Sequence, residues 1–154
     1  MILFIIFIAG ISSLILGLLV LYKLPGLKTA RLFFLFTCAS TVWIFTNFLW
    51  LLTHDYFWLK ATYTSGVAFV LSGLLWVCHL TGTKIPLWHY ALYVVGFALG
   101  IASLIDNLVV LRPYAFVTTN TIIASGPVSV TKGVLFDALS IFMFIAMTLT
   151  IVRL

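Results

Sequence analysis

From Ile2 to Tyr22 the chain carries no charged side chain. Wound as a helix at 1.5 Å per residue, such a run covers roughly the 30 Å of a bilayer's hydrocarbon core. Four more apolar runs follow, over about residues 32–52, 57–80, 87–104 and 133–154. The composition agrees, with 64% hydrophobic and 7% charged residues against about 25% charged in soluble domains. The expected fold is therefore an all-α membrane protein: a single bundle of five transmembrane helices over residues 1–154, with the lipid bilayer as its first partner. The net charge of +5 then concerns loops and orientation and gives no reason to expect nucleic acid.

The first run has neither the basic start nor the small-residue cleavage site of a signal peptide. It ends at KLPGLKTAR, where Pro25 and Gly26 break the helix and Lys23, Lys28 and Arg31 supply charge. His54 and Asp55 separate the second and third runs, and TGTKIP separates the third and fourth. With five crossings the termini lie on opposite sides. An outside N-terminus and an inside C-terminus put Lys23, Lys28, Arg31, Lys84 and Arg153 inside, and Lys60, Arg112 and Lys132 outside. That bias is densest beside the first span, where orientation is usually decided. An integral protein of the bacterial cytoplasmic (inner) membrane fits. Residues 106–132 are too polar and broken to span, and their β-branched residues and Gly126-Pro127 suggest a short outer hairpin-like loop over the helix ends.

Helices in lipid gain little from burying apolar surface on one another, so close packing depends on small residues. Gly10, Ser13 and Gly17 form one small-residue stripe, Gly66 and Gly73 a second, and Gly96 and Gly100 a GxxxG third. These read as helix seams. They could also serve a homodimer or a partner membrane subunit.

Polar groups inside spans are costly and are functional candidates. In TVWIFTNFLW, Trp43, Asn47 and Trp50 fall at i, i+4 and i+7, so a helix puts the amide between two indoles on one face. Asn47 is either an interhelical hydrogen-bonding group or a polar contact in a small-molecule site framed by Trp43, Trp50 and Tyr63. Asp137 is the one acid within a span, at a depth like that of Asn47, with Lys60 and Lys132 as expected ion-pair partners. It is the remaining candidate for a ligand-binding wall, the other reading being a carboxylate at its own helix N-terminus. Tyr56, Trp58 and the nearby aromatics also suit an interfacial belt.

Catalysis finds little support. The chain has no glutamate, its three aspartates fall on separate elements, and His54, His79 and His89 have no metal-ligand spacing. Cys38 and Cys78 read as small apolar filler. No enzyme, no metal and no cofactor is expected. A proton-coupled carrier would want more buried ionisable groups or a broken helix, and no proline interrupts any span.

Arg31, Phe33 and Trp43 in TARLFFLFTCASTVWIFTNFLW, the third span YTSGVAFVLSGLLWVCHLTG with Pro86 after it, and KGVLFDALSIFMFIAMTLTIVRL led by Gly133 carry a resemblance. The chain resembles the N-terminal seven-helix membrane sensor region of bacterial histidine kinases, also found joined to diguanylate cyclases, through the first five helices. The resemblance implies a sensory input module in signal transduction, a receptor for a small outer or membrane-dissolved amphiphile that relays binding by helix movement to a cytoplasmic output. Two further helices and an output domain are not among these residues, so the chain would be either part of a sensor or a relative that signals through partners. The alternative is a small accessory or structural subunit of a larger membrane complex, and a carrier half-unit is a third.

Overall fold

The computed structural model describes residues 2–82, 87–105 and 135–153. These form five helices, α1 (Ile2–Lys23), α2 (Lys28–Thr53), α3 (Tyr56–Leu80), α4 (Leu87–Leu104) and α5 (Phe136–Val152). Three contain stretches long and apolar enough to cross a membrane, Leu3–Lys23, Lys28–Thr53 and Tyr56–Leu80. The stretches His89–Leu104 and Phe136–Val152 are apolar but shorter. The described residues thus form an all-helical bundle with three membrane-spanning candidates. The expected outer loop, with Lys132 and Gly133, lies outside the described residues.

Local chemistry sets the helix ends. Pro25 and Gly26 turn the chain after α1, and the Arg31 guanidinium closes that turn by donating to the Pro25 carbonyl at 3.2 Å. Helix α2 begins at Lys28, before the apolar run does, because the amides of Ala30 and Arg31 already bond to the Leu27 carbonyl. Backbone pairing, not hydrophobicity, decides where a helix starts. His54 ends α2 in the left-handed region (φ 53°), its amide bonded to the Trp50 carbonyl. Asp55 then caps α3, its carboxylate accepting from the Phe57 amide at 2.9 Å.

Helix α3 is the centre of the bundle. Half of its apolar window is buried, against 11% in α1 and 17% in α2. It packs on α2, α4 and α5, α1 packs on α2, and α4 touches α5. Among the described residues no Cα of α2 lies within 8 Å of one of α5. The tightest apolar cluster joins α3 to α5 through Leu59, Val67, Val70, Leu139, Phe142 and Ala146. Outward side chains such as Phe4, Phe97 and Phe144 are exposed, as a lipid-solvated surface requires.

Threonine and serine supply the hydrogen bonds between helices. Thr41 donates to the Gly10 carbonyl at 3.3 Å. Thr46 and Ser65 hydroxyls meet at 3.0 Å, and Thr64 and Ser103 at 2.6 Å. The small-residue stripes lie on these seams, and close approach is their reason. A Cβ at Gly17 would run into Thr37, one at Gly96 would lie 2.6 Å from the Phe142 ring, and one at Gly73 would crowd Phe36 at 3.0 Å. Gly10 lies against Phe45 and Ile44, and Ser13 is half-buried on the same helix. Gly100 differs, because a Cβ there would meet Val67 only at an ordinary 3.8 Å.

Candidate functional site

The gap between α2 and α5, floored by α3, forms a cavity of about 440 Å³. That is within the ~300–1,000 Å³ usual for small-molecule sites. Three helical stripes line it. Trp43, Asn47 and Trp50 come from α2, Leu59, Thr62, Tyr63 and Gly66 from α3, and Leu139, Ser140 and Met143 from α5. The α2 and α3 stripes each follow helical i, i+4, i+7 spacing, so each helix turns one continuous face into the gap. All three stripes lie toward the end of the bundle that carries the α2–α3 turn.

Four of the five ligand-site candidates therefore come together: Trp43, Asn47, Trp50 and Tyr63. The fifth, Asp137, does not line the cavity. Helix α5 turns Leu139 into the core at 2% exposure, and a residue two positions earlier points about 200° away. Asp137 is accordingly exposed, and Ser140 is the polar residue α5 contributes. Lys60 reaches the end of α4, its ammonium donating to the Leu104 carbonyl at 3.2 Å and lying 5.2 Å from the Tyr56 ring centroid.

The amide of Asn47 does not bridge two helices. Its Nδ2 donates to the Trp43 carbonyl one turn back on α2, at 2.8 Å. The interhelical bond expected of it is made one residue earlier by Thr46. The Asn47 carbonyl, the indole N–H groups of Trp43 and Trp50 and the Tyr63 hydroxyl make no hydrogen bond among the described residues. Two other hydroxyls on the lining are already committed, Thr62 to the Trp58 carbonyl at 3.0 Å and Ser140 to the Phe136 carbonyl at 2.9 Å. No charged side chain is in the lining.

Gly66 is where the walls meet the floor. A Cβ there would lie 3.2 Å from both Trp43 Nε1 and Met143 Cε, so the N–H edge of the indole rests against the glycine. One face of the same indole stacks on Phe69 (5.1 Å, 10°). From there a ladder of rings runs down the α2–α3 seam, Phe69 on Phe36 at 5.1 Å, Phe36 on Trp76 at 5.6 Å and Trp76 on Phe33 at 5.0 Å. It ends at a second, apolar cavity of about 260 Å³ at the opposite end of the bundle, where Phe33 and Trp76 join Val20, Leu24, Leu27 and Ala30.

At that end lies a polar cluster the sequence did not suggest. His89 is fully buried, with Nε2 3.7 Å from Cys78 Sγ, and Arg153 donates to the same sulfur at 3.4 Å. Cys78 is thus a contact between the ends of α3, α4 and α5 rather than filler alone. His89 sits inside the bundle, whereas His54 and His79 are exposed. Among the described residues no three His, Cys, Asp or Glu side chains come together as metal ligands.

Of the lining residues that sequence reasoning did not name as a site, Leu59, Thr62 and Gly66 could have been found by extending the stripe of Tyr63 along α3. Leu139, Ser140 and Met143 could not, because α5 is apolar on every side and its rotation is set by packing. No family model, curated protein or solved structure matches the chain.

Proposed function

We propose that the chain is a membrane-embedded sensory input module, in which a small ligand bound between α2 and α5 shifts those helices and the shift is relayed to a cytoplasmic output. The observation that carries the reading is the cavity itself, whose lining has no charged residue and on which the Asn47 carbonyl, the Trp43 and Trp50 indole N–H groups and the Tyr63 hydroxyl make no hydrogen bond among the described residues. These groups are accessible rather than sealed in the core, so a ligand that enters the cavity can supply their hydrogen bonds.

In this reading all five helices cross the bilayer, the N-terminus outside and the C-terminus inside, in a bacterial cytoplasmic membrane. Helices α4 and α5 have 18 and 17 residues, about 27 and 25 Å, a mismatch that local thinning of the bilayer absorbs. The basic residues around the α1–α2 turn support the orientation. The cavity then lies in the outer half. The ring ladder from Trp43 to Phe33 is the relay, since stacked rings are close-packed and pass on a displacement. No chemistry is assigned to the chain, and the resemblance to sensor-kinase membrane regions points the same way.

A ligand signals only if it binds two helix arrangements unequally. Spin labels at the Lys28 end of α2 and the Arg153 end of α5 test this in the whole chain, in nanodiscs, with membrane-soluble compounds that bind. A ligand-dependent change in the inter-label distance is expected, and Trp43→Ala should reduce it. Saturable binding with an unmoved distance would leave a binding protein that is no sensor.

A further inference from the structure

The cavity's chemistry narrows the class of molecule it takes. We infer that its ligand is an uncharged amphiphile that presents a hydrogen-bond-accepting oxygen, such as an ester, ketone or ether, to Trp43, Trp50 and Tyr63, and enters from the lipid between α2 and α5. The inference rests on reading this cavity as a ligand site.

Three observations carry it. First, the groups without a partner are mostly donors: the indole N–H of Trp43, the indole N–H of Trp50 and the Tyr63 O–H, with the Asn47 carbonyl as the one acceptor beside them. Both tryptophans can only donate. A donor-rich wall selects acceptors. Second, no charged residue lines the cavity, and Asp137 is turned away from it, so an ion of either sign would be buried without a counter-charge, at a high cost. Third, the Trp43 ring does not offer both faces to a cation. A cation needs open ring faces. Trp43 has one face on Phe69 and sets its N–H edge toward Gly66, and a ring edge is its electropositive rim.

The entry route follows from the helix arrangement. Among the described residues no Cα of α2 comes within 8 Å of one of α5, Ser140 at the rim is exposed, and the rest of the α5 wall is Leu139 and Met143. An acyl chain can lie along that wall while its oxygen reaches the donors.

The test uses the intact chain in nanodiscs and methyl dodecanoate carrying a photoactivatable diazirine on its acyl chain. Labelling is expected to saturate and to map by mass spectrometry to residues 43–50 and 139–143. Unlabelled methyl dodecanoate should displace it at about one-tenth of the mole fraction needed by dodecyltrimethylammonium or dodecane, the margin that one good hydrogen bond supplies. Tyr63→Phe should erase part of that margin without removing the labelling. If the ammonium competes best, the ligand class is wrong but the site stands. If dodecane competes as well as the ester, or labelling never saturates, the gap is only a lipid-filled groove and the receptor reading falls with it.

Discussion

Thr46 and Asn47 are neighbours in sequence with different tasks. The Thr46 hydroxyl ties α2 to α3 through Ser65 at 3.0 Å, whereas the Asn47 amide bonds only within α2 and leaves its carbonyl in the cavity. Their substitutions should therefore separate. Thr46→Val is expected to cost about 0.6 kcal/mol of stability, the average for interhelical hydrogen bonds in membranes, with ester labelling nearly unchanged. Asn47→Leu should leave stability closer to the parent and weaken labelling by up to about tenfold, because the second Nδ2 hydrogen, not used on the Trp43 carbonyl, is a donor that an ester oxygen can accept. Unfolding by steric trapping and the labelling titration measure the two effects, and an Asn47→Leu protein that loses stability while it labels normally would make the amide a packing group. The face shared by Trp43, Asn47 and Trp50 was legible in the sequence because helix geometry alone places i, i+4 and i+7 together. The target of the amide was not, since the sequence leaves open whether a carbonyl one turn back or a neighbouring helix accepts from it. Asp137 fails for a related reason. Whether it faces inward depends on the rotation of α5, which the burial of Leu139, Phe142 and Ala146 decides.

At the level of helices, small residues were legible as seams, but their spacing did not rank them. GxxxG marks Gly96 and Gly100 alike, yet Phe142 closes in on the first while Val67 stands an ordinary contact away from the second. The size of the facing side chain makes the difference, and a motif does not encode it. Gly17 is the tightest case. A Cβ there would collide with Thr37, whose hydroxyl is held by the Phe34 carbonyl at 2.8 Å and whose branched Cβ has few rotamers in a helix. Thr37 cannot swing away, so α1 must move. Because α1 packs only on α2 among the described residues, nothing else holds it in place. Gly17→Ala is expected to destabilise by about 1–3 kcal/mol, as overpacking does. Gly100→Ala should be neutral or slightly stabilising, because Ala gains roughly 0.5–1 kcal/mol over Gly in a helix interior. Equal losses from the two in an unfolding titration would mean that the α1–α2 and α3–α4 seams are equally tight, contrary to the geometry.

For the whole molecule, the decisive feature is an arrangement and not a residue: among the described residues α3 packs on α2, α4 and α5, while the backbones of α2 and α5 stay apart. Apolar run lengths made the number of helices legible, since each run had to pair its own backbone in lipid. They could not disclose which helices would stay apart, because run length says nothing of which faces meet. The gap gives the strongest single test of the site. Ser140 stands at its rim, exposed, with its hydroxyl bonded only to the Phe136 carbonyl of its own helix, so replacing it breaks no tie between helices. Ser140→Trp puts an indole, which buries about 150–250 Å², across the mouth between α5 and α2. Saturable labelling by the diazirine ester should disappear while helical content and unfolding stay near the parent values. Ser140→Ala, which leaves the mouth open, should label like the parent, because that hydroxyl has no donor to spare for a ligand. Undiminished labelling of a folded Ser140→Trp protein would mean that the ligand reaches Asn47 by another route and that the open flank of α3 serves a partner helix instead.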